Sequence, residues 1–209
     1  ATFCYLNYLP NMSQEFLKYS PTLDNYWRSI ILFGRNVASY KFALAKSLLD
    51  FKDRGNDLIK LEELSEPFAL NLCAHIEHSP KQATSPSSKF LDTCKAFNSG
   101  DISKFNLIEA TNRLGFVNVI DAFHIVNQGE IDKRFFIDER KSNNGIRLTE
   151  NLFSLFETNQ FLSLSDEVEA RWRLVETAWE LNVSKNLIAV DYDKDTSNLF
   201  VQKANRRVD

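Results

Sequence analysis

The spacing of apolar side chains predicts a helical first third of the chain. Apolar residues recur at helical intervals over 24–52, which indicates one long helix, and a shorter amphipathic segment, 13–19, precedes it. A third helical pattern covers 58–76, where Pro67 predicts a break into two pieces.

Gly34 lies in the middle of the predicted long helix, on its apolar side and in line with Trp27 and Lys41. A glycine inside a helix costs about 1 kcal/mol relative to alanine, so a second backbone crossing closely at Gly34 is the simplest explanation. The alternative is a glycine kept clear for a phosphate or another ligand. The ammonium of Lys41 has to snorkel to solvent, pair with a carboxylate, or reach a cleft.

The second part of the chain predicts short helices and two β-hairpins. The first hairpin has a turn signal, Asn143-Asn144-Gly145, made of residues that tolerate positive φ angles. Three short helices followed by a hairpin is the order of a winged helix. The predicted elements are helices at 88–98, 103–114 and 118–127, a hairpin at 134–149, a helix at 150–157 capped by Thr149, a helix from Ser165 to Leu181, and a hairpin at 186–202.

These elements predict a mainly α chain with two short β-hairpins. A segment rich in Pro, Ser and Thr, 78–89, marks the expected boundary between two lobes. We expect a helical lobe over 1–85 and a winged-helix-like lobe over 86–209.

Composition and charge restrict the partners. With 44% hydrophobic residues and 17 Phe in 209 residues, the chain is able to bury a core. Its net charge of −3 means that any nucleic-acid site must be a local basic patch. Three widely spaced cysteines are typical of reduced thiols in a cytoplasmic protein. The sequence predicts neither a signal peptide nor a membrane partner.

No catalytic motif is found in the chain, and we expect no cofactor or metal in it. The segment CAHIEH places Cys73, His75 and His78 close together, with Cys94 further along, but paired zinc-ligand spacings such as CxxC are missing. His124 follows Asp121 by three positions, but no serine or cysteine lies at a spacing that would complete a catalytic triad. Glycine-rich phosphate motifs are also missing.

Two groups of basic residues are candidate DNA contacts, although a solvated surface is the alternative for both. The first forms one stripe on the predicted long helix and consists of Arg28, Arg35 and Lys46. The second surrounds the first hairpin, as in a DNA-contacting wing, and consists of Lys133, Arg134, Arg140, Lys141 and Arg147.

Four segments together resemble the N-terminal, non-catalytic region of bacterial HNH-family endonucleases. They are WRSIILFGRNVASYKFALAKSLL, GFVNVIDAFHIV, RFFIDE and EARWRLVETAWEL. The resemblance implies a nuclease module with a divalent metal beyond residue 209, after a basic segment that matches Arg206-Arg207, and a role in restriction or phage defence. The catalytic histidine, the metal ligands and the zinc-knuckle cysteines of that family have no counterpart here.

Two functions therefore remain open. The first is a DNA-binding or regulatory N-terminal region of an HNH-type DNA endonuclease. The second is a protein–protein interaction module, with a protein partner or self-association, which the acidic net charge and abundant Phe favour. Salt dependence separates them, because phosphate contacts weaken steeply with added salt.

Overall fold

The computed structural model describes residues 12–19, 21–127, 129–183, 190–193 and 198–201, so Cys4 and Arg206-Arg207 lie outside the described residues. The helices are α1 (Met12–Tyr19), α2 (Leu23–Phe33), α3 (Tyr40–Leu49), α4 (Leu61–His78), α5 (Lys89–Asn98), α6 (Lys104–Leu114), α7 (Val119–Ala122), α8 (Arg140–Asn143), α9 (Glu150–Phe156) and α10 (Phe161–Glu180). The strands are β1 (Leu58–Lys60), β2 (Ile125–Val126), β3 (Gly129–Glu130), β4 (Phe136–Glu139), β5 (Gly145–Leu148), β6 (Val190–Asp193) and β7 (Asn198–Val201). The prediction of a mainly α chain with two short β-hairpins is confirmed.

The prediction of one long helix over 24–52 is wrong, because the chain forms α2 and α3 with a break at Gly34. Gly34 has extended backbone angles, φ −63° and ψ 147°, and pairs with Val126 in an isolated antiparallel bridge. A second backbone therefore does meet Gly34, but at the end of a helix.

Lys41 of α3 caps the end of α2. Its Nζ donates to the carbonyl oxygens of Ile30, Ile31 and Gly34 at 3.2, 3.3 and 2.6 Å. The carboxyl end of a helix carries partial negative charge, which suits a cation. Lys41 is only 8% exposed, and this burial, with a smaller effect from Arg171, holds its pKa well below the ordinary value.

The prediction that Pro67 divides the third helix is also wrong, because α4 is continuous from Leu61 to His78. Pro67 lies in the second turn, where the missing N–H removes one hydrogen bond near the start of the helix. The three residues before α4 form β1 instead of a helical turn, and the Lys60 backbone N–H donates to the Glu63 carboxylate at 2.9 Å.

The predicted hairpin at 134–149 is confirmed and belongs to a three-stranded antiparallel sheet of order β1-β5-β4. Its turn consists of α8 and Asn144, which takes the positive φ of 49°. Gly145 is required for a different reason: a Cβ there would clash with the backbone carbonyl of Ile59 in β1.

The hydrophobic core extends on both sides of position 85. Phe68 of α4 contacts the rings of Phe90 in α5 and Phe116 after α6, with centroids 5.9 and 4.8 Å apart. The division into lobes at residue 85 stays a prediction, but a second lobe that contains the three-stranded sheet also needs Leu58–Lys60 from before that boundary.

Two further helix boundaries differ from the prediction. The third helix of the winged-helix order is the single turn α7, after which Ile125–Val126 pairs with β3. The last helix begins at Phe161 instead of Ser165. The predicted second hairpin is confirmed as the antiparallel pair of β6 and β7. Within the described ranges, every helix is too short or too polar to cross a bilayer.

Candidate nucleic-acid interface

The single helix that was predicted to carry Arg28, Arg35 and Lys46 is broken, so the three residues lie on separate elements. Arg28 lies on α2, Arg35 in the α2–α3 connection and Lys46 on α3. Arg28 donates through Nε and Nη2 to both oxygens of Glu167, at 2.7 and 2.8 Å, and Lys46 Nζ donates to Glu169 at 2.7 Å. Two acidic residues of α10 thus neutralise two of the three cations.

The arginines around the first hairpin also bind carboxylates. Arg140 donates to Asp138 at 2.8 and 2.9 Å and to Asp121 at 2.6 Å. Its Nη1 donates to the Phe116 carbonyl at 3.0 Å, and Arg134 pairs with Glu130. These arginines hold the hairpin against α7 and the preceding loop, which makes them less available to phosphates.

Arg147 lies in the central strand β5 between two carboxylates. It donates to Glu139 at 2.7 Å and to both oxygens of Asp57 at 2.8 and 2.9 Å. These hydrogen bonds, first that to Glu139, raise the pKa of Arg147, and the same guanidinium lowers the pKa of Glu139 and Asp57. The pairs link β5 to β4 and to Asp57, the residue before β1.

The other three predicted contacts are Arg35, Lys133 and Lys141. In the part of the chain that the structure describes, each is exposed and none forms an ion pair with a carboxylate. Lys133 precedes β4, and Lys141 lies in α8 at the tip of the hairpin. These two lysines are the cations of the hairpin that remain available to a phosphate group.

A buried polar network that the sequence did not predict joins α4 to α10. His75 Nδ1 lies 2.7 Å from Glu176, and its Nε2 lies 3.2 Å from Glu169. The imidazole stacks on the Trp172 ring, with centroids 3.5 Å apart and planes 1° from parallel. Gln82 donates to Glu176 at 2.5 Å and accepts from Trp172 Nε1 at 3.0 Å.

His75 has no ring nitrogen available for catalysis or metal binding, because both nitrogens face carboxylates. Burial acts against the charge of Glu169, but Lys46, Arg173 and His75 outweigh it and lower the pKa of that carboxyl to about 2. The His75 cluster therefore connects α3, α4 and α10 and orients Glu169 toward Lys46.

The structure brings Cys73 and Cys94 together, but it does not group them with the histidines that were considered as zinc ligands. His75 belongs to the buried network, His78 is exposed at the end of α4, and Cys73 and Cys94 are buried. Among the described residues, no group of three or more His, Cys, Asp or Glu side chains is arranged to hold a metal ion.

His124 is an interior histidine that accepts a backbone hydrogen bond. Its Nε2 accepts from the Phe135 N–H at 3.0 Å, while Asp121 binds Arg140. Burial, with a smaller contribution from Arg134, lowers the pKa of His124 from 6.5 to about 3. The neutral imidazole is therefore part of the packed core beneath the hairpin.

We expect acid to destabilise the chain through His124. The His124 imidazole takes up a proton near pH 6.5 in the unfolded chain and only near pH 3 in the folded chain. The contribution of the neutral imidazole to stability is therefore complete above pH 6.5 and decreases as the pH falls from 6.5 to 3. At pH 5 the loss is about 2 kcal/mol. Urea unfolding at pH 7 and pH 5 measures it. His124→Gln, which keeps an acceptor, should lose less stability than the wild type, and equal losses would contradict the assignment.

Tyr26 contributes to a groove of about 420 Å³ between α1 and the β2–β3 segment. Leu17, Val126 and Ile131 line the groove with apolar atoms, and Lys18 and Asp132 are among its charged residues. Burial first, and then Asp132, raises the pKa of the Tyr26 hydroxyl.

Sequence reasoning missed the ion pairs of the interface because their partners are distant in the chain. Arg28 and Glu167 are 139 positions apart, and Lys46 and Glu169 are 123 apart. The i,i+4 spacings within α10 indicate the pairs Glu167–Arg171 and Glu169–Arg173. The second is present at 2.7 Å, whereas Arg171 is buried and donates to the Leu32 carbonyl at 3.2 Å. The sequence shows that acidic and basic residues alternate along α10, but it does not show which helix they face.

No family model, curated protein or solved structure matches this chain.

Proposed function

We propose that this chain is a DNA-facing accessory region of an HNH-type endonuclease that contacts the phosphate backbone weakly and without base specificity. The HNH part of the proposal rests on the sequence resemblance alone. The metal-dependent hydrolysis that the resemblance implies would belong to a module outside this chain.

One observation supports the DNA contact: Lys133 and Lys141 of the hairpin region are exposed and lack a carboxylate partner among the described residues. An exposed lysine without a partner binds a phosphate without first losing an ion pair. Arg134, Arg140 and Arg147 would have to exchange an existing carboxylate for the phosphate. The hairpin lysines therefore replace the arginines as the expected contacts.

The number of available cations limits the salt dependence of binding. With Arg35, Lys133 and Lys141 as contacts, the slope of log K against log salt should be no steeper than about −3, since each contact contributes about −0.9. Fluorescence anisotropy measures this slope with two unrelated labelled duplexes. The salt concentration is varied from about 50 to about 200 mM.

A double variant tests the hairpin lysines. Lys133→Ala/Lys141→Ala should weaken binding equally on both duplexes and flatten the slope by about 2. The control, Lys89→Ala/Lys95→Ala, removes the same charge from exposed positions of α5, where Lys95 lies 3.8 Å from Asp92. An equal loss in the control would place the contact elsewhere, and salt-dependent binding to neither duplex would rule out the DNA role. Sequencing the gene on both sides of this segment tests the HNH resemblance separately.

The groove at Tyr26 favours a second candidate, a protein-interaction module. A surface that combines apolar and charged residues, as the lining of this groove does, is compatible with a protein interface. The chain would then hold an apolar side chain of a partner between α1 and the β2–β3 segment. Added salt does not weaken an apolar contact of this kind. Salt-independent association of the chain with itself or with a protein, in the absence of DNA binding, would therefore support the protein-interaction module.

A further inference from the structure

Two thiols meet between neighbouring helices of the core. Cys73 of α4 and Cys94 of α5 are 21 positions apart, and the Cys73 thiol donates to the Cys94 carbonyl oxygen at 3.8 Å. Both are free cysteines, 3% and 0% exposed. The Cys73 sulfur therefore lies against the backbone of Cys94, and neither thiol is in a disulfide.

The two thiols are electronically different. The hydrogen bond from Cys94 lowers the pKa of Cys73, whereas the same interaction together with burial raises the pKa of Cys94. A thiolate is the reactive form of cysteine, and a neighbouring thiol is what resolves its first oxidation product. Cys73 is also 3% exposed whereas Cys94 is fully buried, so Cys73 is the attacking sulfur and Cys94 the resolving one.

We propose that Cys73 and Cys94 form a redox site, in which a two-electron oxidant of the peroxide class converts the thiol pair into an intramolecular disulfide. The Cys73 sulfur attacks one peroxide oxygen, the O–O bond breaks, and a Cys73 sulfenic acid and one water form. The Cys94 sulfur then attacks the sulfenic sulfur, the S–O bond breaks, and the second water leaves with the Cys94 proton. Two thiols and hydrogen peroxide give one disulfide and two waters.

The site reacts through local opening because both sulfurs are covered. Asn98, at the end of α5, donates its side-chain amide to the Cys73 carbonyl at 2.8 Å and helps to hold the two helices together. Helix ends open more readily than the whole fold. We therefore expect slow oxidation in buffer and faster oxidation in urea below the unfolding midpoint.

The disulfide would fasten the connection between α4 and α5. This connection carries Lys81, which donates to the Trp179 carbonyl at 3.0 Å, and Gln82 of the buried polar network. Closing a loop of about 20 residues restricts the unfolded chain. The oxidised protein should melt roughly 5 to 10 °C higher than the reduced protein.

Intact-mass measurement after peroxide treatment tests the proposal in a Cys4→Ser background, which leaves only the described pair. The treated chain should lose the mass of two hydrogen atoms, recover it with a reductant, and yield one linked peptide pair containing Cys73 and Cys94. In Cys94→Ala, dimedone should trap a sulfenic acid at Cys73, and in Cys73→Ala it should leave Cys94 unlabelled.

Several outcomes would overturn the proposal. These are gain of oxygen mass without a disulfide, disulfides only between different molecules, or no reaction in the folded chain at any urea concentration below the midpoint. A melting temperature that is unchanged or lower after oxidation would contradict the predicted fastening of α4 to α5.

Discussion

Replacing Glu176 with alanine is expected to lower the free energy of unfolding by about 3 to 5 kcal/mol. Glu176 is 4% exposed and accepts from His75 Nδ1 at 2.7 Å and from Gln82 at 2.5 Å. The substitution leaves the His75 N–H and one N–H of Gln82 without an acceptor, although Gln82 keeps its hydrogen bond to the Ser79 carbonyl, and it opens a cavity beside these two side chains. Urea unfolding at pH 7 measures the loss.

Two further variants separate the charge from the packing. Glu176→Gln keeps the volume and one acceptor oxygen, so its loss should be smaller than that of Glu176→Ala. Glu180→Ala removes a carboxylate from an exposed position one turn further along α10, and it should change stability by less than about 0.5 kcal/mol. Equal effects of Glu176→Ala and Glu180→Ala would show that the His75 network does not contribute to stability.

The same network connects the core to the candidate interface. His75 faces Glu169, and Glu169 is the carboxylate that neutralises Lys46. Two residues earlier on α10, Glu167 binds Arg28. Because α10 is fixed by its buried side, its acidic residues remain opposite α2 and α3, and the cations of these helices stay neutralised. The packing of α10 therefore decides which positive charges the surface presents.

Some local signals predicted local features correctly, whereas Pro67 does not break α4 and the Thr149 hydroxyl donates to the Arg134 carbonyl instead of capping α9. Ser88 and Ser103 cap α5 and α6, their side chains accepting from the third residue along at 3.3 and 3.2 Å, and Gly115 ends α6. The turn residues also identified the hairpin at 134–149. Caps and turns depend on neighbours within a few positions, so a single sequence contains most of their cause.

Features that depend on distant partners were not predictable from periodicity. Apolar spacing continues through Gly34 because α2 and α3 both face the same core, so the pattern does not show the break. The break depends on Val126 and on Lys41, which bind the backbone around Gly34. The same holds for the candidate site, since the sequence indicates the basic residues but not the carboxylates that bind Arg28 and Lys46.

Replacing Gly34 with leucine is expected to lower the free energy of unfolding by about 3 kcal/mol. The φ of −63° is open to any residue, so the cost is steric. A Cβ at this position would clash with the Ile30 carbonyl and lie 3.1 Å from Lys41 Nζ. The new side chain therefore displaces the ammonium from the carbonyl groups that it binds, and a buried lysine loses its acceptors. Thermal and urea unfolding measure the effect.

Gly55→Leu is the matched control, because a Cβ there meets no atom within 4 Å and the position is exposed. It should change stability by less than about 0.5 kcal/mol, and Gly34→Ala should fall between the two leucine variants. The Gly34→Leu variant also tests the alternative that the sequence left open, a glycine kept clear for a ligand. An unchanged melting temperature of Gly34→Leu, with loss of binding to the labelled duplexes, would show that the missing side chain serves a bound phosphate. A lower melting temperature in Gly34→Leu but not in Gly55→Leu assigns Gly34 to the junction of α2, Lys41 and Val126.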